Sequence, residues 1–375
     1  MVGEVKIVVI GPVYPYRGGI AHFTAALAAA ASKADHEVEV ISFKRQYPRF
    51  LYPGKSDQDP SIDALSVPAK FLLDPLYPWT WEQARREIIR SKPDLVVFQW
   101  WTTFWAPAFG ILARNLKNNN IKVLFLVHNV YPHETKFWDK AFAKFALTAA
   151  ESFLAMARSQ QKLLISLFPD KQTILSPHPT YQFVSNSKIE KNNARAQLGI
   201  PFDRKVAIFF GIVRPYKGLR LLVEAAGIMK REGNPIHLLI TGEFWENFTE
   251  YQHLFERENL EDWVTVHNCY IPNEDIPLYF SAADLFVAPY VGGTQSGAVK
   301  LAMGYGLPVV ITPGIADEML NFGEKQNVFV SSSADSASLI RPIKSALQAQ
   351  PKKDREHSSD VSWLGLIKAL VNMSL

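Results

Sequence analysis

With 375 residues, 48% hydrophobic and 20% charged, the chain has the composition of a soluble globular protein long enough for two domains. A net charge of +4, with the basic excess in the first half, excludes a strongly nucleic-acid-binding protein and leaves room for an anionic acceptor or a membrane surface. The single cysteine, Cys269, excludes an internal disulfide and a cysteine-built metal cluster, and fits a reducing compartment.

The first residues lack a signal-peptide pattern and no apolar run reaches bilayer-spanning length, so a cytoplasmic location is expected. Lys6 to Ile10 is an apolar run that reads as a strand buried on both faces. It opens into a loop through Arg17, Gly18 and Gly19, and helical periodicity follows over 21–31. The loop is too long for a dinucleotide fingerprint. Its two glycines would let a ligand approach the backbone, with the Arg17 charge beside it. A second strand is predicted over 37–42. Residues 43–55 then interleave Lys44, Arg45, Arg49 and Lys55 with Phe43, Tyr47, Phe50 and Tyr52. That mixture suits peripheral contact with lipid head groups or an anionic acceptor, or equally a loop with its aromatics packed inward.

A strand over 94–98 leads into Trp100, Trp101 and Trp105, where open α/β sheets bind ligands. Tryptophan faces serve as sugar platforms, and also as core. The strand over 123–127 ends in a polar group: His128, Asn129, His133 and Glu134. No third histidine or cysteine lies at ligand spacing, so a hydrogen-bonding site for a polyol fits better than zinc. A strand–helix unit over 152–168 and a strand at 174 close this half, and the proline-stiffened exit beyond marks the change of domain.

The second half repeats the alternation. A strand over 206–210 opens at Gly211 into a loop carrying Arg214 and Lys217, before a helix over 219–229. Two cations at a helix start oppose the helix dipole, so they either serve a bound phosphate or are simply solvated. A strand over 237–241 ends in Gly242 and Glu243. Another over 264–267 leads to Tyr270 and Ile271, which could frame a flat base, and Asn273 is expected to cap a helix running to Phe280. The strand over 285–288 is followed by Tyr290 and a loop containing Thr294, Gln295, Ser296 and Gly297, opening onto a helix over 298–303. Small residues at a helix start aim free N–H groups at one point, which makes this stretch either the seat of a diphosphate or an ordinary strand–helix turn. Asp335 is expected to cap a helix to Leu347, and 361–375 has helical periodicity.

Six pieces in order resemble the retaining glycosyltransferases of the GT-B fold, family 4, also called group 1. They are Gly18-Gly19-Ile20; His128 to Glu134; Ser176-Pro177-His178-Pro179; Gly211 with Arg214, Lys217 and Gly218; Gly242 to Trp245; and Thr294 to Gly297 with Gly306 to Val310. The resemblance implies an α/β protein of two Rossmann-like domains whose parallel sheets face a central cleft. An acceptor domain over 1–187 would be rejoined by a helix at about 361–375, and a nucleotide-sugar domain would span 188–360. Arg214, Lys217 and His128 match the catalytic positions. Gly18, Gly19, Gly211, Gly242, Glu243, Tyr270, Ile271, Tyr290, Thr294, Gln295, Ser296 and Gly297 would contact the donor, and Arg17, Trp100, Trp101, His133 and Glu134 the acceptor. The implied co-substrate is a UDP- or GDP-linked sugar and the acceptor a glycan or polyprenyl-linked molecule, with no metal, no cofactor and no nucleic acid. The chain departs from the family at its paired glutamates, spaced E-x7-E: aligned on Pro308 those positions hold Gly293 and Leu301, aligned on Gly297 the first holds Thr294, neither restores the pair, and the chain is similar to a branch carrying Thr-Gln-Ser-Gly there. A non-catalytic nucleotide-sugar binder and a GT-B epimerase are the alternatives.

Overall fold

The computed structural model describes residues 4–176, 178–179, 189–293, 296–320, 327–349 and 362–373. The chain divides into two compact units, Met1–Pro60 with Ala64–Pro179 and His357–Leu375, and Ser61–Asp63 with Thr180–Glu356.

The first unit holds β1 (Lys6–Ile10), α1 (Gly19–Lys33), β2 (Glu37–Phe43), β3 (Lys70–Leu73), α2 (Pro78–Ser91), β4 (Leu95–Trp100), α3 (Ala106–Lys117), β5 (Lys122–Val127), α4 (Asp139–Leu147), β6 (Ser152–Ala155), α5 (Arg158–Leu167) and β7 (Gln172–Leu175). Its sheet runs β3-β2-β1-β4-β5-β6-β7, with every pairing parallel. Such a sheet is covered on both faces, which is why β1 and β5 read as apolar runs after their first lysine and β4 as one interrupted only by Gln99.

The second unit holds α6 (Lys191–Leu198), β8 (Val206–Phe210), α7 (Leu219–Arg231), β9 (His237–Thr241), α8 (Phe248–Arg257), β10 (Val264–His267), α9 (Ile276–Ala282), β11 (Leu285–Ala288), α10 (Gly297–Gly304), β12 (Val309–Ile311), α11 (Pro313–Leu320), β13 (Val328–Val330) and α12 (Ser336–Gln348). Its sheet is β10-β9-β8-β11-β12-β13, again all parallel. The last helix, α13 (Trp363–Asn372), belongs to the first unit. There Leu366, Ile367, Leu370 and Val371 are buried in one core cluster with Val5, Ile7, Phe23 and Leu27.

Asp335 caps α12 as expected, its Oδ1 accepting from the Ser338 N–H at 2.8 Å. Asn273 does not cap α9. It opens a 3₁₀ turn, and the helix starts three residues later behind Asp275, because Pro277 lacks an N–H and fits only the first turn.

Candidate functional site

Strand order reverses between β8 and β11 in the second unit and between β1 and β4 in the first. Loops leaving such switch points diverge and open a crevice beyond the strand ends. Every sequence-expected donor residue of the second unit that is described lies on the exits of β8, β9, β10 and β11.

The exits of β8 and β9 are zipped together. Val213 N–H donates to Glu243 O at 2.9 Å and Trp245 N–H to Val213 O at 3.1 Å. Gly242, at φ +142°, permits this approach, since a Cβ there would fall 2.1 Å from Gly211 O. The zipper sets Arg214 against Trp245, with its guanidinium carbon 5.2 Å from the ring centroid. Lys217 ends a 3₁₀ turn over Pro215–Lys217. Its ammonium lies where a Cβ on Gly211 would meet it at 3.0 Å, and 5.9 Å from the Tyr290 ring centroid. Burial, and then the neighbouring Arg214 charge, push the Lys217 ammonium down to about 8. The turn is tied to the β11 exit: Tyr216 O accepts from Val291 N at 2.9 Å, and Gly218, in the left-handed region, backs onto Pro289 O.

A second chain of contacts runs on to α10. Tyr290 is buried, with Oη 2.9 Å from Ser296 Oγ, and Ser296 caps α10 by accepting from Val299 N at 3.2 Å. The N–H groups of Gly297 and Ala298 belong to the first turn, which has no intrahelical acceptors to offer them. Tyr290 thus braces the start of α10, and the Ser296 hydroxyl serves the helix. Burial holds the Tyr290 hydroxyl above the usual phenol range. Ile271 and Glu243 are buried and Tyr270 is half-buried. Thr294, Gln295 and Pro177 lie outside the described residues.

In the first unit, His128 is buried at the end of β5, with Nε2 2.8 Å from Gln99 Oε1 at the end of β4. Gln99 thereby fixes the imidazole ring through Nε2. Burial, and then His178, push His128 down to about 3, so it is neutral at ordinary pH. Phe23 of α1 packs edge-on to His128 at 4.9 Å and also touches the rings of His178 and Trp363, at 5.0 and 5.2 Å. A Cβ on Gly18 or Gly19 would enter open space, so the glycine loop leaves room for a ligand.

The acceptor expectations fare unevenly. Trp100 is a core side chain, fully buried with its indole N–H donating to Val130 O at 3.2 Å, so it offers no sugar platform. Trp105 is core as well. Trp101 is half-buried and donates to Tyr47 Oη at 2.9 Å. Arg17 is drawn against the 52–57 loop, its Nε donating to Tyr52 Oη at 2.9 Å. His133 and Glu134 are exposed. Over 43–55 three aromatics turn inward, as in the second of the two readings: Phe43 is core against Trp105 at 4.3 Å, Tyr47 holds Trp101 and Tyr52 holds Arg17. Only Phe50, 81% exposed, remains outside among the described aromatics of that stretch. Among the described residues no group of His, Cys, Asp or Glu could hold a metal ion, and no helix is long and apolar enough to cross a membrane.

Sequence reading missed Gln99, although a glutamine inside a fully buried strand was the available signal. It also missed the bracing of Arg214 by Trp245, which pairs residues from separate loops.

Two parallel α/β units with polar loops at their switch points define the GT-B class, and solved structures agree over nearly the whole chain. The catalytic domain of starch synthase IV from Arabidopsis thaliana, bound to ADP and acarbose, matches with TM-score 0.71, 16% identity and 99% of both chains covered. Anabaena Alr3699/HepE in complex with UDP and glucose matches with TM-score 0.69 and 16% identity, covering 99% of this chain and 97% of that one. The family is narrower than the fold. Residues 17–177 match the model described as Glycosyltransferase Family 4 and residues 204–349 the one described as Glycosyl transferases group 1, so the chain belongs to these glycosyltransferases. Among curated relatives, O-antigen chain mannosyltransferase B of Escherichia coli is 32% identical over 106 residues, 28% of this chain and 27% of its own length. D-inositol 3-phosphate glycosyltransferase of Corynebacterium glutamicum (strain R) is 27% identical over 148 residues, 38% of this chain and 35% of its own. The chain spans from about a quarter to just over half the length of the curated relatives it matches.

Proposed function

We propose that the protein moves a hexose from a nucleoside-diphosphate sugar, UDP- or GDP-linked, to a glycan or polyprenyl-linked acceptor in polysaccharide biosynthesis, with retention of anomeric configuration. The observation that carries this reading is the Arg214–Lys217 pair. Two cations are fixed at the exit of β8, one half-buried and held well below its usual pKa, on a turn tied to the β11 exit ahead of α10. Like charges set this close destabilise the empty site, and a diphosphate removes the conflict.

The leaving group is a nucleoside diphosphate, so negative charge grows on its phosphate as the glycosidic bond breaks. Preorganised cations and the first N–H groups of α10 would stabilise that charge without reorganising. The reaction therefore asks for no metal. Retention without a side-chain nucleophile fits attack from the face the diphosphate leaves, its oxygen taking the acceptor's proton. His128 is too weak a base to abstract that proton. Its Nδ1 would hydrogen-bond a sugar hydroxyl and orient it, with Gln99 fixing the ring. A polyprenyl-linked acceptor would bring the enzyme to the inner face of a membrane.

Arg214→Ala combined with Lys217→Ala is expected to abolish transfer while the chain still folds and melts cooperatively, and wild-type turnover by that double variant would refute the role. A non-catalytic binder is the second reading, favoured by Gly293 and the buried Leu301 standing at the paired-glutamate positions. Acceptor-dependent release of nucleoside diphosphate would remove it.

A further inference from the structure

We propose that the outer face of α4, with the loop ahead of it, docks on an anionic lipid surface. The inner face of this helix is conventional: Ala143, Ala146 and Leu147 are buried in the core. The outer face is not. Phe137 is 90% exposed, Trp138 40%, Phe142 42% and Phe145 41%. Burying a large apolar side chain is worth about 1.5–3 kcal/mol, so four aromatics left open within nine residues call for an occupant.

Their arrangement is ordered. Positions 138, 142 and 145 fall at i, i+4 and i+7, one stripe along the helix. Phe137 extends the stripe past the helix start, edge-on to Trp138 at 4.6 Å. Phe145 is held in place: a Cβ on Gly110 of α3 would meet its ring at 2.6 Å, and the Arg114 guanidinium lies 4.2 Å from its centroid.

Charge decides what the occupant is. Lys140 and Lys144 stand one turn apart on α4 and Lys136 lies just ahead of it, all exposed, with Lys136 Nζ 5.2 Å from the Trp138 centroid. Asp139, the one carboxylate of residues 135–147, is turned inward, accepting from Lys136 N at 2.6 Å and from the Thr103 hydroxyl. Glu134 precedes the stretch. An aromatic stripe beside exposed lysines suits the boundary between acyl chains and anionic head groups. A second copy is a poor partner, because it would oppose the three lysines with three more. The proposal stands apart from the transfer reading, since it is read out as lipid binding.

The test is flotation of the full chain with vesicles of phosphatidylcholine alone and of phosphatidylcholine with phosphatidylglycerol in equal parts. The wild type is expected to float with the anionic vesicles and not with the neutral ones, and to be released by salt. The triple variant Lys136→Gln, Lys140→Gln, Lys144→Gln should bind about a hundredfold more weakly. Phe137→Ser with Phe142→Ser should lose flotation, and Phe50→Ser should keep it. All the substituted side chains are exposed, so folding is maintained, and a circular dichroism melt checks this. No flotation of the wild type, equal flotation with neutral vesicles, retention by both α4 variants, or a dimer in sedimentation that Phe137→Ser with Phe142→Ser dissociates would each overturn the proposal.

Discussion

Lys217→Met separates what the lysine does for binding from what it does to the fold. The side chain is half-buried beside Arg214, and its pKa falls from 10.5 to about 8. Between those values the folded protein holds fewer protons than the unfolded chain, so wild-type stability rises with pH through that window. Below it the full penalty is present. A fall from 10.5 to about 8 corresponds to at most about 3.4 kcal/mol. Methionine keeps the length and removes the charge. The variant should therefore melt higher than wild type near about pH 7, by several degrees if about 2–4 °C accompany each kcal/mol. The gain should shrink as pH rises from about 8 through 10.5, above which the wild-type lysine is neutral in both states. Calorimetry across this range, repeated with UDP-, GDP- and ADP-sugars, checks both halves of the argument. Wild type should be stabilised by one of the nucleotides, and the variant by none. A variant that melts lower at neutral pH, a difference independent of pH, or a preserved nucleotide effect would refute the reasoning.

Gly242→Ala should lose both stability, by about 1–3 kcal/mol, and nucleotide affinity, because its Cβ cannot coexist with Gly211 O at 2.1 Å and the β8 and β9 exits must part; a wild-type melting temperature would show that the approach does not matter. His128 stays neutral above its pKa of about 3, so kcat/KM should show no limb between about pH 5 and 7 that His128→Asn removes. Trp100→Phe should destabilise the first unit without changing KM for the acceptor, since the indole is core; a raised KM would restore it as a sugar platform.

The parallel sheets were legible because burial on both faces writes each central strand as a continuous apolar run. β1, β8, β9 and β11 fall where those runs begin and end. β3 escaped because it is an edge strand whose Lys70 and Phe71 are exposed, which breaks the run. α4 escaped for a related reason: lysine and phenylalanine share its outer face, so no polar side marks it as a surface helix. At the site, Arg214 and Lys217 stand out locally as cations placed against a helix dipole. The partners that position the chemistry do not. Gln99 reaches His128 across 29 residues of sequence, and only the β4–β5 register brings them together. Tryptophans at a strand end carry the same letters whether they face a ligand or the core, and Trp100 took the second course. The aromatic and basic residues of 43–55 were equally ambiguous, and packing turned Phe43, Tyr47 and Tyr52 inward while Lys44, Arg49, Phe50 and Lys55 stayed exposed.

The most direct measurement is a crystal structure with the nucleotide sugar that stabilises the protein. The account places its diphosphate within hydrogen-bond distance of the Arg214 guanidinium and Lys217 Nζ, against the first turn of α10. A diphosphate bound elsewhere, with that lysine still facing Tyr290 and no anion beside it, would contradict it.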